Sequence, residues 1–266
     1  MYYKLYNDKK IYKFKYINYL DNINKVNISY LNLSNAKIKK LPNLSKFINL
    51  KTLICKNNQL TILPNLTKLK YLKIIICSYN KLTELPDLSK CTKLETLCCN
   101  KNKLTKLPDL SQLINLKELF CYNNKLTELP NLPRNLIYLF CYHNKLKLLP
   151  DLSQLINLKD LSCNNNQLTK LPILPNNLKS LICNNNNLKK LPKLPYNLNT
   201  LSYFNNLINI YPKSIIKCKN LKYYQKYNSY IKLGKLNILL NYTISNYYYY
   251  SIIKYYNNTL NLNNIY

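Results

Sequence analysis

A motif that recurs nine times in phase, every 20 to 22 residues, limits what this chain can fold into. It reads L-x-x-L-x-C/L-x-x-N-x-L-x-x-L-P-x-L, with spacings of 22, 22, 22, 22, 20, 22, 20 and 20 residues. A period of this length is typical of solenoids, in which no single copy can bury its apolar face alone. The copies are therefore expected to fold as one array. Their first positions are Ile28, Leu50, Leu72, Leu94, Leu116, Leu136, Leu158, Leu178 and Leu198, and a decayed copy is predicted to begin at Leu221.

Each slot of the motif has a physical role. Alternating apolar residues at positions 4 and 6, such as Leu97 and Cys99, predict a short strand with one buried face. Strands of successive copies are expected to stack in parallel about 4.8 Å apart. Position 9 is Ala36 in the first copy and Asn in the others, and an inward amide there can pair with buried backbone groups. Positions 11, 14 and 17 are expected to close the core from the other side.

The segment that connects one strand to the next is expected to hold little regular helix. A proline after position 14 forbids a regular helix at that point and turns the chain. In the 22-residue copies, a segment such as residues 151–155 is predicted to form one tight helical turn. In the 20-residue copies, a segment such as residues 171–175 leaves room only for extended backbone.

These residues and spacings resemble the leucine-rich-repeat family from Ile28 to Pro212. The resemblance implies an α/β-type horseshoe solenoid with a parallel sheet on its concave face and little regular helix on its convex side. The L-P-x-L-P copies resemble the repeats of bacterial effector ubiquitin ligases. Those ligases need a large catalytic domain with a nucleophilic cysteine, and only about fifty residues follow Pro212. Together with the composition, the chain also resembles leucine-rich-repeat proteins of AT-rich giant viruses of amoebae.

Three regions are predicted along the chain: an N-terminal cap over 1–27, a repeat array over 28–212, and a degenerate repeat with a C-terminal cap or tail over 213–266. Solenoid ends expose their core, and a cap is the usual solution. The first 25 residues are expected to form a hairpin around a polar turn at 7–10. The apolar and tyrosine-rich tail is expected to cover the other end. The alternative is an aromatic interaction tail.

The net charge of +30 comes from 40 basic and 10 acidic residues. Such a charge suggests a nucleic acid or an anionic membrane as partner. The lysines are spread along the whole chain, and Arg134 is the single arginine, whereas phosphate-binding proteins also use arginine. Lys, Asn, Ile, Leu and Tyr all have AT-rich codons, so codon bias is the other explanation. No signal peptide or bilayer-spanning apolar run is found, which predicts a cytoplasmic protein (host cytoplasm if viral) with no membrane partner.

Residues that carry catalysis are scarce. His143 is the single histidine and Gly234 the single glycine, which excludes a two-histidine metal site and a phosphate-cradling loop. We therefore expect no enzyme, no cofactor and no metal. Seven of the ten cysteines occupy position 6, where they act as small apolar core residues. Cys91 and Cys218 also fall in core slots, and Cys98 is expected on the concave face. A metal or redox role for the cysteines is the alternative.

Positions 3, 5, 7 and 8 are expected to face outward on the concave side, where the repeat does not dictate them. In the central copies they are rich in aromatic and aliphatic residues, which are the usual anchors of protein interfaces. A large exposed apolar patch normally has a purpose. The predicted protein-binding residues are Ile74, Ile76, Tyr79, Glu118, Phe120, Tyr122, Tyr138, Phe140, Tyr142, His143 and Asp160.

Three functions are compatible with this pattern. A protein-binding scaffold or adaptor is favoured, since Glu118 and Asp160 flank the patch and can pair with a basic group of a partner. A nucleic-acid-binding solenoid is the alternative, because bases stack on aromatic rings in basic grooves. Against it, the two acids repel phosphate and most lysines fall at positions 10 and 13 or on the outer turns. A substrate-recognition part of a ubiquitin-ligase-like effector is a third interpretation. The abundance of Tyr and Ile also allows a patch that arises from composition alone.

Overall fold

The computed structural model describes residues 3–7, 10–14, 20, 27–209, 218 and 222–223. This part of the chain forms one sheet of twelve strands, in the order β12-β11-β10-β9-β8-β7-β6-β5-β4-β3-β1-β2. The strands are β1 (Tyr3–Asn7), β2 (Lys10–Phe14), β3 (Ile28–Asn32), β4 (Thr52–Ile54), β5 (Ile74–Ile76), β6 (Thr96–Cys98), β7 (Glu118–Phe120), β8 (Tyr138–Phe140), β9 (Asp160–Ser162), β10 (Ser180–Ile182), β11 (Thr200–Ser202) and β12 (Lys222–Tyr223).

The nine strands from β3 to β11 correspond to the nine copies of the motif and pair in parallel, each with the next. Equivalent positions are aligned, so that Leu97 in β6 lies opposite Leu119 in β7 and Ile75 in β5. Backbone pairing continues beyond each strand, where Cys99 N–H donates to Phe120 C=O at 2.9 Å and Lys101 N–H to Tyr122 C=O at 2.9 Å. The predicted register and parallel stacking are confirmed.

The core is a set of leucine columns enclosed by the coil. Positions 1 and 4 are buried in every copy, as Leu94 and Leu97 illustrate, both with no exposed surface. Leu104, Leu107 and Leu110 close the same layer from the opposite side, as the motif predicts. Burying one leucine contributes about 1.5–3 kcal/mol relative to leaving it in water. Because each layer rests on the next, the stability of the array is shared among neighbouring copies.

The connection on the convex side is a pair of tight turns rather than the helical turn predicted for residues 151–155. Leu155 N–H donates to Leu152 C=O at 3.0 Å, and Leu158 N–H donates to Leu155 C=O at 2.9 Å. The Asp151 carboxylate accepts from Ser153 N–H at 2.9 Å and fixes the first turn. A helix needs several consecutive i→i+4 bonds to offset its costly first turn, and this segment between Pro150 and the next strand is too short to form them.

Both ends of the parallel stack carry further strands. At the N-terminal end, β1 pairs antiparallel with β2 and with β3, and Leu20 is fully buried in the core. At the other end, β12 pairs parallel with β11 through Thr200 and Lys222. This pairing puts Lys222 at position 3 of a tenth copy, whereas a copy that began at the predicted Leu221 would have Lys222 at position 2. The predicted cap or tail beyond residue 223 lies outside the described residues.

Among the described residues, none form a helix with the length and apolar character needed to cross a bilayer.

Candidate protein-binding face

An asparagine at position 9 holds the turn that leaves each strand from β4 to β11. The Asn102 amide donates to the carbonyl of Cys77 at 3.1 Å and to that of Cys99 at 3.0 Å, and its oxygen accepts from Leu82 N–H at 3.0 Å. Each asparagine therefore joins the backbone of its own copy to that of the preceding copy. This confirms the predicted pairing of the amides, and it ties the turns of successive copies to one another. We call this set the asparagine ladder. Its members are Asn58, Asn80, Asn102, Asn124, Asn144, Asn166, Asn186 and Asn206.

Position 8 adopts the left-handed backbone conformation in all nine copies. Asn and Gly tolerate positive φ best because Cβ crowds the following carbonyl in other residues. Six of the nine are asparagine, and Tyr79, Lys101 and His143 are the exceptions, with φ of 56°, 55° and 52°. Two of these exceptions contact each other, because Lys101 Nζ lies 4.4 Å from the centre of the Tyr79 ring. Sequence reasoning did not find this pair, although both residues occupy the same column of the repeat.

A second apolar cluster lies on the opposite side of the sheet from the leucine core. We call it the concave cluster. Phe120 and Phe140 meet edge to face with ring centroids 5.2 Å apart, and Tyr122 stacks on Tyr142 at 4.3 Å. The cluster runs from β3 to β8. Its buried members are Ile54, Ile76, Cys98, Phe120, Phe140 and Tyr142, with Tyr30, Ile74, Tyr122 and Tyr138 partly buried against them.

The concave cluster is more enclosed than the exposed patch expected from the sequence, and in this respect the prediction is wrong. Ile76, Phe120, Phe140 and Tyr142 expose 9% or less of their surface. Side chains at equivalent positions stand one strand spacing apart, about 4.8 Å, and so contact their neighbours sideways. The side chains at position 5 therefore form the buried floor of the concave cluster. Tyr138 and Tyr122, at positions 3 and 7, are partly buried beside it.

The structure brings together most of the predicted site but not all of it. Tyr79 is 48% exposed and packs under Lys101 instead of joining the concave cluster. His143 borders the cluster, with its ring 5.6 Å from that of Tyr142, and burial lowers the pKa of its imidazole. Ile54 and Cys98 are members that the predicted site lacked. Their place at position 5, in the same column as Ile76 and Phe120, is the sequence signal that identifies them.

Two carboxylates lie beside the aromatic part of the cluster. Strand pairing places Glu118 and Asp160 on either side of Tyr138, all three at position 3. Glu118 accepts a hydrogen bond from Thr96 Oγ1 at 2.9 Å. Burial raises the pKa of Asp160 to about 6, and the charges of Lys159 and Lys179 oppose that shift. The concave side thus combines aromatic rings with acidic groups in a chain that is otherwise strongly basic.

The position-6 thiols form a buried column within the core. All seven have no exposed surface, and the ten cysteines of the chain are thiols that form no disulfides. Burial raises the pKa of Cys77 and of Cys121 to about 12. Cys98 lies on the concave side, as predicted, but is itself buried. Within the ranges that the structure describes, no three His, Cys, Asp or Glu side chains are grouped so as to hold a metal ion.

We expect the seven position-6 thiols to resist alkylation in the native protein, because the thiolate is the reactive form and burial disfavours it. Treatment with iodoacetamide at pH 8, followed by mass spectrometry, is expected to label them only after denaturation in urea. The same reaction in urea serves as the control for intrinsic reactivity. Rapid labelling of most of them in the native state would mean that the position-6 column is not buried.

The parallel strands, leucine columns, asparagine ladder and short convex turns together define a class of protein, the leucine-rich-repeat solenoid. A family model described as leucine-rich repeats (2 copies) matches residues 72–112 and 92–134. The matched residues cover the third, fourth and fifth copies of the motif, so this part of the chain is similar to leucine-rich repeats.

Several solved structures are similar to this chain. The leucine-rich effector protein YopM from Yersinia pestis is 35% identical, with a TM-score of 0.67 over 74% of this chain and 56% of that one. YopM from Yersinia enterocolitica is 34% identical, with a TM-score of 0.59 over 74% and 46%. The functional domain of InlJ from Listeria monocytogenes, which includes a cysteine ladder, is 30% identical, with a TM-score of 0.55 over 73% and 47%. The chain spans about half the length of these solved chains. A search of curated proteins found no match.

Proposed function

We propose that this protein is a non-enzymatic scaffold or adaptor whose concave face binds another protein. The observation that carries this proposal is the concave cluster. The leucine core fills the interior of the array, and a second apolar surface crosses six strands on the other side of the sheet. Aromatic side chains in well-packed, central positions are the common anchors of protein interfaces. Support from the asparagine ladder keeps this surface rigid, which lowers the entropic cost of binding.

The partly buried rings are the ones we assign to direct contact. Tyr122 and Tyr138 belong to the edge of the cluster, while Phe120 and Phe140 form its floor and set the positions of those rings. His143 and Asp160 extend the same face with polar groups. Ile74, at the β5 end, continues it with an aliphatic side chain. From β5 to β9, the side chains of the proposed contact surface therefore change from aliphatic to aromatic to acidic.

A protein partner fits the charges of this face better than a nucleic acid does. Glu118 and Asp160 would repel phosphates at the aromatic rings, which are the groups on which bases would stack. The lysines at position 10, such as Lys81, Lys103 and Lys125, are exposed on the turns that follow the strands. Charges in that place act on the rate of association more than on the contact itself.

We also propose a cytoplasmic location. From the abundance of residues with AT-rich codons, we propose a giant virus of amoebae as the source.

The test is an affinity capture from nuclease-treated amoebal lysate, read by mass spectrometry. We expect a protein that is retained by the wild type and lost by Tyr122→Ser/Tyr138→Ser. Both substitutions remove rings from the edge of the cluster without touching the leucine core. The matched control is Ile114→Ser/Ile156→Ser, which removes two apolar side chains that are 61% and 63% exposed away from the sheet.

Two results would contradict the proposal. The first is a captured protein that both variants retain equally. The second is capture that appears only when nucleic acid is left undigested, which would favour a nucleic-acid-binding solenoid. Circular dichroism and urea unfolding of each variant separate a lost contact from a lost fold.

A further inference from the structure

The concave face departs from the charge of the rest of the chain. The chain has 40 basic and 10 acidic residues, yet positions 3, 5 and 7 of the nine copies hold one lysine, Lys56, and two acids, Glu118 and Asp160. Lys56 follows β4, three strands away from Glu118 in β7. At these three positions, the aromatic end of the face therefore carries two acids and no lysine, while Lys101 at position 8 lies over Tyr79. A surface that followed composition alone would carry lysine there, as positions 2 and 10 do.

Asp160 is the more informative of the two acids because it is partly buried and, within the described residues, forms no ion pair, although the charges of Lys159 and Lys179 act on it. It lies at position 3 of β9, between Tyr138 and Ser180 on the neighbouring strands. The ion pairs within the described part of the chain join Lys73 and Lys117 to Glu95, each at 3.0 Å, and none reaches Asp160. Glu95 occupies position 2, at the outer edge of the sheet, whereas Asp160 is directed to the concave side. A carboxylate that is partly buried without an ion pair lowers the stability of the fold.

We propose that the concave face recognises a basic segment of its protein partner, with one lysine or arginine side chain over Tyr138 and between Glu118 and Asp160. This inference rests on the proposed function and names the chemistry of the partner. The two acids lie on strands on opposite sides of β8, about 9 to 10 Å apart at two strand spacings. That gap accommodates a guanidinium or ammonium group stacked on the ring of Tyr138. Apolar residues beside this cation would contact Tyr122 and Ile74.

The net charge of the protein does not oppose this recognition at contact distance. Lys159 and Lys179 act on Asp160. Most of the other lysines lie on the turns and outer edges, and salt at physiological strength screens exposed charges beyond a Debye length of about 8 Å. A cation between two carboxylates on a partly buried face is screened much less. Charge-assisted hydrogen bonds from a guanidinium to carboxylates are also about twice as strong as neutral ones.

If Asp160 recognises a cation, replacing it changes both stability and binding, whereas a purely structural role would change stability alone. Asp160→Asn removes a charge from a partly buried site while conserving its shape. We expect this variant to unfold at a higher urea concentration than the wild type at pH 7. We also expect it to bind a cationic ligand more weakly, on the order of 10-fold, as for loss of one charge-assisted contact.

The experiment is selection from a displayed library of random dodecapeptides at 150 mM salt. The library is panned in parallel on the wild type, on Tyr122→Ser/Tyr138→Ser and on Asp160→Asn. Peptides enriched equally on all three are discarded, which removes acidic sequences attracted by the lysine surface. The remaining peptides are synthesised, and their dissociation constants are measured by fluorescence polarisation.

We expect the peptides that depend on Tyr122 and Tyr138 to carry a lysine or arginine and to bind Asp160→Asn on the order of 10-fold more weakly. If these peptides are neutral or acidic, or bind Asp160→Asn as tightly as the wild type, the basic-segment inference is overturned and the concave-face proposal stands. If no peptide depends on the two tyrosines, both are overturned.

Discussion

Replacing Leu97 with aspartate is expected to abolish cooperative folding of the array. Leu97 has no exposed surface and lies at position 4 of the fourth copy, between Ile75 and Leu119 on the neighbouring strands. The change removes about 1.5–3 kcal/mol of apolar burial. It also places a carboxylate in the core with no cation near it, at a further cost of several kcal/mol. Small domains are stable by about 5–15 kcal/mol in total, so the loss is comparable with the whole stability.

Far-ultraviolet circular dichroism and urea unfolding measure this effect. The matched control is Lys103→Asp in the same copy, because Lys103 is exposed and the substitution brings the same carboxylate to the surface. The control is expected to change the free energy of unfolding by no more than about 0.5 kcal/mol. A Leu97→Asp variant that unfolds with the wild-type midpoint would show that the repeat register is wrong.

The second large effect is expected from Asn102→Ala, which removes one rung of the asparagine ladder. Its side chain satisfies Leu82 N–H and the carbonyls of Cys77 and Cys99. Leu82 N–H loses its hydrogen bond, while Cys77 C=O still accepts from Asn80 and Cys99 C=O still accepts from Asn124. A buried backbone group left without a partner costs about 1–3 kcal/mol, so we expect a loss of roughly 1–3 kcal/mol. The loss is larger than for an exposed hydrogen bond because a buried donor is left unsatisfied.

The control for this variant is Asn115→Ala, since Asn115 is exposed and donates one hydrogen bond, at 2.8 Å, to the carbonyl of Thr92. We expect it to cost less than about 1 kcal/mol in urea unfolding. Equal losses for the two variants would contradict a special role for position 9. The same outcome would contradict the inference that the ladder makes the concave face rigid.

The sequence predicts the fold well because the repeat itself encodes it. The spacing of Leu94, Leu97 and Leu104 within one copy sets which side chains point inward, and nine copies repeat the same information. The amide at position 9 was predictable from chemistry, since a buried strand exit needs a partner for its backbone groups. The convex turns were less predictable, because the balance between one helical turn and two tight turns depends on local bonds such as Asp151 to Ser153.

The candidate site is predictable in its location but not in its packing. The period of two along a strand places Phe120 and Phe140 on the concave side. Their enclosure depends on sideways contacts between copies, which a linear sequence does not display. The positive φ of Tyr79 likewise follows from its slot in the turn, and it directs the ring to Lys101 and away from the concave cluster.

The most direct test of the central claim is a hydroxyl-radical footprint of the protein with and without the partner recovered by affinity capture. The structure supplies internal references, because Tyr71 and Tyr196 are 54% and 53% exposed and neither belongs to the concave cluster. We predict that the partner lowers the oxidation of Tyr122 and Tyr138 and leaves that of Tyr71 and Tyr196 unchanged. Protection of Tyr71 or Tyr196, with Tyr122 and Tyr138 oxidised as in the free protein, would contradict binding on the concave face.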